Sequence, residues 1–219
     1  MILVKPSAKI IAITNNPLQL IEETGRTCYK SEDKITSESA KPFVEMILKR
    51  GHESVIEHAS TTVRFVVDRG VSHEIVRHRL ASYSQESTRY CDYNKGHVTF
   101  VIPPWCSDVR TGEWGDFYEG LTLESDIWLK AMYHAEMFYK RLREEKGWKP
   151  EQTRSVLPNS LKTEIVMTAN LRQWRLVFKQ RTAMAAHPQM REVMIPLLEQ
   201  FKNEIPVLFD DLNLTAKSN

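Results

Sequence analysis

The sequence predicts an α+β fold, rich in helices with a minority of strands, and three observations predict it. Apolar residues recur at helical spacing in long segments, as where Trp128, Ala131, Ala135, Phe138 and Leu142 step by three and four. One stretch alternates instead: Thr61, Val63, Phe65 and Val67 interleave with Thr62, Arg64 and Val66, the period of a half-buried strand. The composition is globular, 42% hydrophobic and 26% charged over 219 residues, without repeat, low-complexity tract or linker. One domain spanning 1–219 is therefore expected.

The elements follow in chain order. Residues 9–14 read as a first strand. Asn16-Pro17 opens a helix through about residue 24, by N-cap and first-turn proline logic. A second helix runs from Ser39 to Lys49 and is ended by Gly51. The alternating strand over 61–67 meets a turn at Asp68-Arg69-Gly70, and a short helix from Val71 follows. His97 to Ile102 reads as a strand stopped by Pro103-Pro104. A long amphipathic helix covers roughly 118–145, and Pro150-Glu151 starts another that ends before Pro158. Residues 161–168 suit a strand and Asn170 to Gln180 a helix. A helical stripe from Pro188 to Leu212 must be started, kinked or interrupted by Pro196 and Pro206.

Composition excludes several classes of function. A net charge of +2 is too small to imply a nucleic-acid partner, so anion binding must come from local clusters of arginine. There is no bilayer-length apolar run and no leader pattern, so a cytoplasmic protein without membrane partners is expected. Cys28, Cys91 and Cys106 form no C-x-x-C pair, which suits free thiols in a reducing compartment. His73-Glu74 followed by His78 has one residue too many for a zinc-protease helix, and no metal site is expected. The eight glycines are never two apart, so no glycine-rich dinucleotide loop is present. There is no G-x-S-x-G elbow either.

The segment from Arg77 to Tyr90 carries the chemistry. It holds three arginines, a histidine, two tyrosines and the hydroxyls of Ser82, Ser84, Ser87 and Thr88. Guanidinium forks bind phosphate and carboxylate bidentately, and hydroxyls add neutral donors. A bare Arg-His-Arg could be no more than the solvated basic end of a helix. The added serines and Arg89 point instead to an anion site.

Arg77-His78-Arg79, seven residues, then Ser87 is similar to the signature of the flavin-dependent thymidylate synthases. Other segments continue the resemblance in order: Gly51-His52-Glu53-Ser54-Val55-Ile56-Glu57-His58, Glu151 to Pro158, Thr168 to Trp174, Arg181-Thr182 and Ala186 to Glu192. It covers about residues 10–213. It implies a twisted, largely antiparallel sheet flanked by helices, and a homotetramer with FAD held between subunits. It also implies reductive methylation of dUMP to dTMP, with 5,10-methylenetetrahydrofolate as carbon donor and NADPH-reduced FAD as hydride source.

Residue by residue, the resemblance gives Ser54, Glu57, Arg77, His78, Arg79, Asn170, Arg172 and His187 to FAD. Glu74, Gln85, Glu86, Ser87, Arg89, Arg154 and Arg181 go to the nucleotide. His52 is placed near the flavin where folate enters, and Arg181 is the candidate to stabilise charge on the pyrimidine. At two positions the chain departs from the pattern. Gln85 stands where several members carry Glu, with Glu86 beside it, and Glu74 stands where some carry Gln. No cysteine is expected to act as nucleophile. The alternative from another class is a single-stranded nucleic-acid binding module stacking bases on Tyr83, Tyr90 and Tyr93.

Overall fold

Alternating burial along two nine-residue strands, β3 (Ser60–Asp68) and β7 (Lys162–Asn170), builds the larger sheet of the computed structural model, which describes residues 1–114 and 120–212. Thr61, Val63, Phe65 and Val67 face inward as their period requires, and so do Thr163, Ile165, Met167 and Ala169. Arg69 N donates to Leu161 O and Leu171 N to Ala59 O, so one strand climbs as the other falls and the pair is antiparallel. β2 (Ser7–Ile13) and β4 (Ala81–Gln85) complete the order β2-β3-β7-β4. A smaller sheet centres on β1 (Ile2–Val4), parallel to β5 (Thr99–Val101) and antiparallel to β6 (Gly112–Glu113). The class is α+β, with two sheets in place of one.

The chain groups into two compact units. The first comprises Met1–Ser7, Phe65–Arg77 and Ser84–Ile165. Its core gathers Leu3, Phe100, Ile102 and Leu161 with the inner face of α4 (Leu123–Glu144). That face differs from the stripe the sequence suggests. Leu129, Met132, Ala135 and Tyr139 point inward, whereas Ala131 and Phe138 are exposed. Glu136 takes an inward position because the Met1 amino group lies 2.6 Å from its carboxylate, with Lys140 beside it. A polar pair thus holds an inward place that the apolar stripe did not include. The expected start at 118 falls in residues 115–119, outside the described ones. α5 (Pro150–Thr153) is a single turn that tightens into a 3-10 stretch, Arg154–Val156.

The second unit comprises Ala8–Arg64, His78–Tyr83 and the chain from Val166 on. α1 (Pro17–Thr27) and α2 (Ala40–Lys49) pack closely at Gly25, where a Cβ would lie 2.7 Å from the Phe43 ring. Asn16 precedes α1 in a left-handed conformation without a side-chain cap; Pro17 alone marks the start. α6 (Leu171–Arg181) and α7 (Pro188–Glu204) bury Trp174, Phe178 and Phe201, whose centroids lie 5.0–5.7 Å apart. Trp174 donates its indole N–H to Thr61 O at 3.0 Å. α7 carries Pro196 within it but stops at Glu204, not Leu212. Ile205 precedes Pro206 and leaves the helical region, as a residue before proline prefers.

α3 (Arg69–Ile75) belongs to the first unit. Asp68 caps it, accepting Val71 N–H at 2.7 Å, so the expected turn residues Arg69 and Gly70 already lie in its first turn. No helix among the described residues is long and apolar enough to cross a membrane.

Candidate active site

In the second unit, the end of α2 positions His52. Gly51 adopts φ +70°, its N–H bonds Leu48 O, and His52 N–H bonds Ile47 O, both at 3.0 Å. This is the two-bond helix stop that glycine favours. The 3-10 stretch Glu53–His58 then presents Ser54 and Glu57. Across from it, the first turn of α6 presents Arg172, which pairs with Glu57 at 2.5 Å and Glu53 at 3.6 Å. Asn170 caps that helix, accepting Gln173 N–H at 2.8 Å, so its amide N–H groups are what remain to donate outward.

Two adjoining cavities result. One of about 390 Å³ is walled by Glu57, Leu80, Asn170, Arg172 and Leu176. The other, about 420 Å³, is walled by Cys28, His52, Ser54 and Arg172. Both include Glu53 and Arg172. Five expected residues from distant parts of the chain are thereby brought together: His52, Ser54, Glu57, Asn170 and Arg172. His187, exposed at the start of α7, is not among these walls.

His78 is buried, and Arg181 Nε donates to its Nε2 at 3.0 Å. Tyr83 donates its hydroxyl to His78 O at 2.7 Å. Burial, and then the Arg181 guanidinium, lower the His78 pKa to about 4, so the ring is neutral near pH 7 with its proton on Nδ1. Burial also pushes Tyr83 up to about 12. Arg181, assigned to the nucleotide by resemblance, is thus joined to a residue assigned to the flavin. Arg79, next to His78, is exposed and makes no side-chain bond to any described residue. The same holds for Arg77, the residue that ends its segment of the first unit.

Apart from Arg181, the nucleotide-side residues lie in the first unit. Ser87 O accepts the N–H groups of Tyr90 and Cys91, and Ser87 Oγ accepts Arg89 N–H at 3.3 Å. Arg154 donates to Thr88 Oγ1 at 3.2 Å, bringing a second arginine to this turn. Arg89 lies over the Tyr90 ring at 5.2 Å. Gln85 donates to Ser72 Oγ and Thr163 Oγ1. The Glu86 carboxylate accepts the Tyr93 hydroxyl at 2.8 Å, Lys162 Nζ at 3.0 Å and Glu164 N–H. Burial and the Glu86 carboxylate raise the Tyr93 pKa. Burial opposes the Lys162 charge, but Glu164 and Glu86 hold its pKa above the ordinary value. Both side chains in question at 85 and 86 are therefore engaged inside the unit. Glu74 is half-buried near the end of α3.

Sequence reasoning missed Lys162 and Arg175. Arg175 is buried and clamps Asp211 at 2.6 Å, a structural role that nothing in the local pattern of α6 distinguishes from that of Arg172. Of the three tyrosines offered as a base-stacking surface, only Tyr90 is exposed; Tyr83 and Tyr93 are turned to internal partners.

Fold and site define an α+β protein with two arginine-bearing surfaces, one beside the cavities at Arg172 and one on the hydroxyl-rich turn at Ser87, and a sequence without a glycine-rich phosphate loop. The profile of the family described as "Thymidylate synthase complementing protein" matches residues 9–207. The chain is 32% identical over 208 residues to the flavin-dependent thymidylate synthase of Corynebacterium aurimucosum, spanning 90% of this chain and 80% of that one. With the enzyme of the same name from Pyrococcus abyssi, identity is 34% over 200 residues, 87% and 77% of the two chains. The crystal structure of thymidylate synthase X from Helicobacter pylori with FAD and dUMP shares the fold, with a TM-score of 0.75 at 22% identity, over 94% of this chain and 98% of that one. The chain belongs to the flavin-dependent thymidylate synthases.

Proposed function

We propose that the protein converts dUMP to dTMP with 5,10-methylenetetrahydrofolate as carbon donor and NADPH as reductant, FAD being its resident cofactor. The observation that carries this reading is the intact signature, Arg77-His78-Arg79 and Ser87, within a family match that runs over residues 9–207. The donor set suits a flavin. Apolar walls from Leu80 and Leu176, the Asn170 amide and the Ser54 hydroxyl surround cavities that share Arg172 and its carboxylate partner Glu53. Arg77 and Arg79, unneutralised among the described residues, are available for the two phosphates. FAD, when bound, supplies the hydride.

The chain's own residues bind and polarise. Ser87, Arg89 and Arg154 hold the nucleotide and its phosphate. Because His78 is neutral, its Nε2 accepts from Arg181 and holds that guanidinium in place, where it can stabilise negative charge developing on the pyrimidine. His52, held at the glycine stop of α2, lies where folate meets the flavin. No thiol is required.

We assign the reaction to one functional domain, in the cytoplasm, working as a homotetramer. Support for assembly comes from an uncovered apolar face on α4, where Leu123, Ile127 and Phe138 are exposed in register, and from exposed Leu80 and Met184. The test is direct. Purified protein should be yellow, release FAD on denaturation, and form dTMP only when dUMP, NADPH and the folate are all present. Arg79→Ala should lose flavin faster on dilution. Flavin-free protein that never forms dTMP after FAD is added would overturn the reading.

A further inference from the structure

A third cavity, about 610 Å³, shares His52, Tyr29 and Ile47 with the 420 Å³ cavity, so His52 stands in a wall common to both. Its walls are apolar where α2 contributes Pro42, Phe43 and Met46. Three cations also line it, Arg26, Lys34 and Arg50, and they are not equivalent. Arg26 is neutralised by Glu22 at 2.6 Å and lies 4.9 Å over the Phe43 ring. Lys34 and Arg50 are exposed and make no side-chain hydrogen bond or ion pair with any described residue. The arrangement suits an aromatic group that carries carboxylates: the ring is received by apolar side chains, the anions by two open cations.

We propose that this cavity takes the aminobenzoyl-glutamate end of the folate co-substrate, with Lys34 and Arg50 pairing to its carboxylates. The inference rests on the reading of His52 as the point where folate meets the flavin. A molecule whose pterin lies at His52 in the 420 Å³ cavity continues past the imidazole into the next one. Each further γ-linked glutamate then adds an anion beside two cations, so the chain should discriminate by glutamate number. NADPH is the competing anionic ligand, and the same experiment separates the two.

The test uses the flavin-loaded enzyme and methylenetetrahydrofolate with one and with three glutamates. Wild type should show a lower KM for the triglutamate, an advantage that shrinks with added salt. In Lys34→Ala/Arg50→Ala the triglutamate KM should rise about fivefold, the range two exposed ion pairs allow, and its advantage should vanish. The changes in kcat and in the KM for dUMP and NADPH should be much smaller. Lys49→Ala, which removes a charge from the same helix outside the cavity, should keep the advantage. Arg50→Gln, a single neutral polar replacement at an exposed position that serves where the double variant does not fold, should lose part of it. A double variant that retains the wild-type preference, or one in which the NADPH KM rises instead, overturns the inference. A wild type that makes dTMP with equal KM for both folates sinks it alone; a wild type that makes none sinks the proposed function as well.

Discussion

His78 carries two constraints at once, burial and a guanidinium at 3.0 Å, and both disfavour its protonated form. The folded-state pKa of about 4 lies below the ordinary value of 6.5. Between them the unfolded chain takes up a proton that the folded chain refuses. The stability this residue contributes is complete above pH 6.5 and is lost as pH falls toward 4, by an amount on the order of 3 kcal/mol. Urea melts at pH 7 and pH 4.5 should therefore show a larger drop for wild type than for His78→Gln; equal drops would remove His78 as the cause. Ser87 is a different case. A hydroxyl needs a base to become a nucleophile. His78, the histidine of the same signature, already uses Nε2 to accept from Arg181. Ser87 should thus donate a hydrogen bond to the nucleotide, and Ser87→Ala should lower kcat/KM by about ten- to a hundredfold, as loss of one bond to a charged partner does. A trapped Ser87–nucleotide adduct would contradict this.

At the scale of elements, the arginine signature is delivered by a helix of seven residues that could not form alone. Asp68 ends β3 and begins α3, and its buried carboxylate satisfies Val71 N–H. Asp68→Ala should cost about 1–2 kcal/mol, the upper part of the range for a lost N-cap. Flavin affinity should fall with it, because Arg77 and Arg79 follow directly from α3. Chemical denaturation and flavin titration read the two effects; unchanged stability would show that the cap is dispensable. The strand β4 was illegible in sequence. Ala81 to Gln85 is short and polar, with only half-buried residues on its inner side, and it is a strand because β7 offers it an edge. The face of α4 was misread for a related reason: the Met1 amino group draws Glu136 inward from 135 residues away in the chain. By contrast, β3, β7, α2 and α6 were legible because burial period and end signals agreed.

For the whole molecule, the three thiols give a sharp test. Cys106 is buried and Cys91 half-buried, while Cys28 is exposed and lines the 420 Å³ cavity with His52. Nothing in the sequence put Cys28 near the site. The mechanism nevertheless uses no thiolate, so a triple Cys→Ala variant should still make dTMP, with lower stability where Cys106 leaves a gap in the core. Complete loss of turnover in a folded, flavin-loaded triple variant would refute this.

The sequence by itself determined the class, the main helices and strands, the absence of a glycine-rich phosphate turn, and a roster of site residues whose spacing names the family. These are properties of short windows, where burial period, caps and chemical type are written locally. The tertiary structure decided the rest. It joined Arg181 to His78 across 103 residues, engaged Gln85 and Glu86 with Ser72, Thr163, Tyr93 and Lys162, and gathered His52, Ser54, Glu57, Asn170 and Arg172 around shared cavities. It also left Lys34 and Arg50 open beside His52 while closing Arg26 with Glu22. A guanidinium looks the same in any window of sequence; whether it meets a carboxylate, an imidazole or an empty cavity is fixed only when distant segments pack.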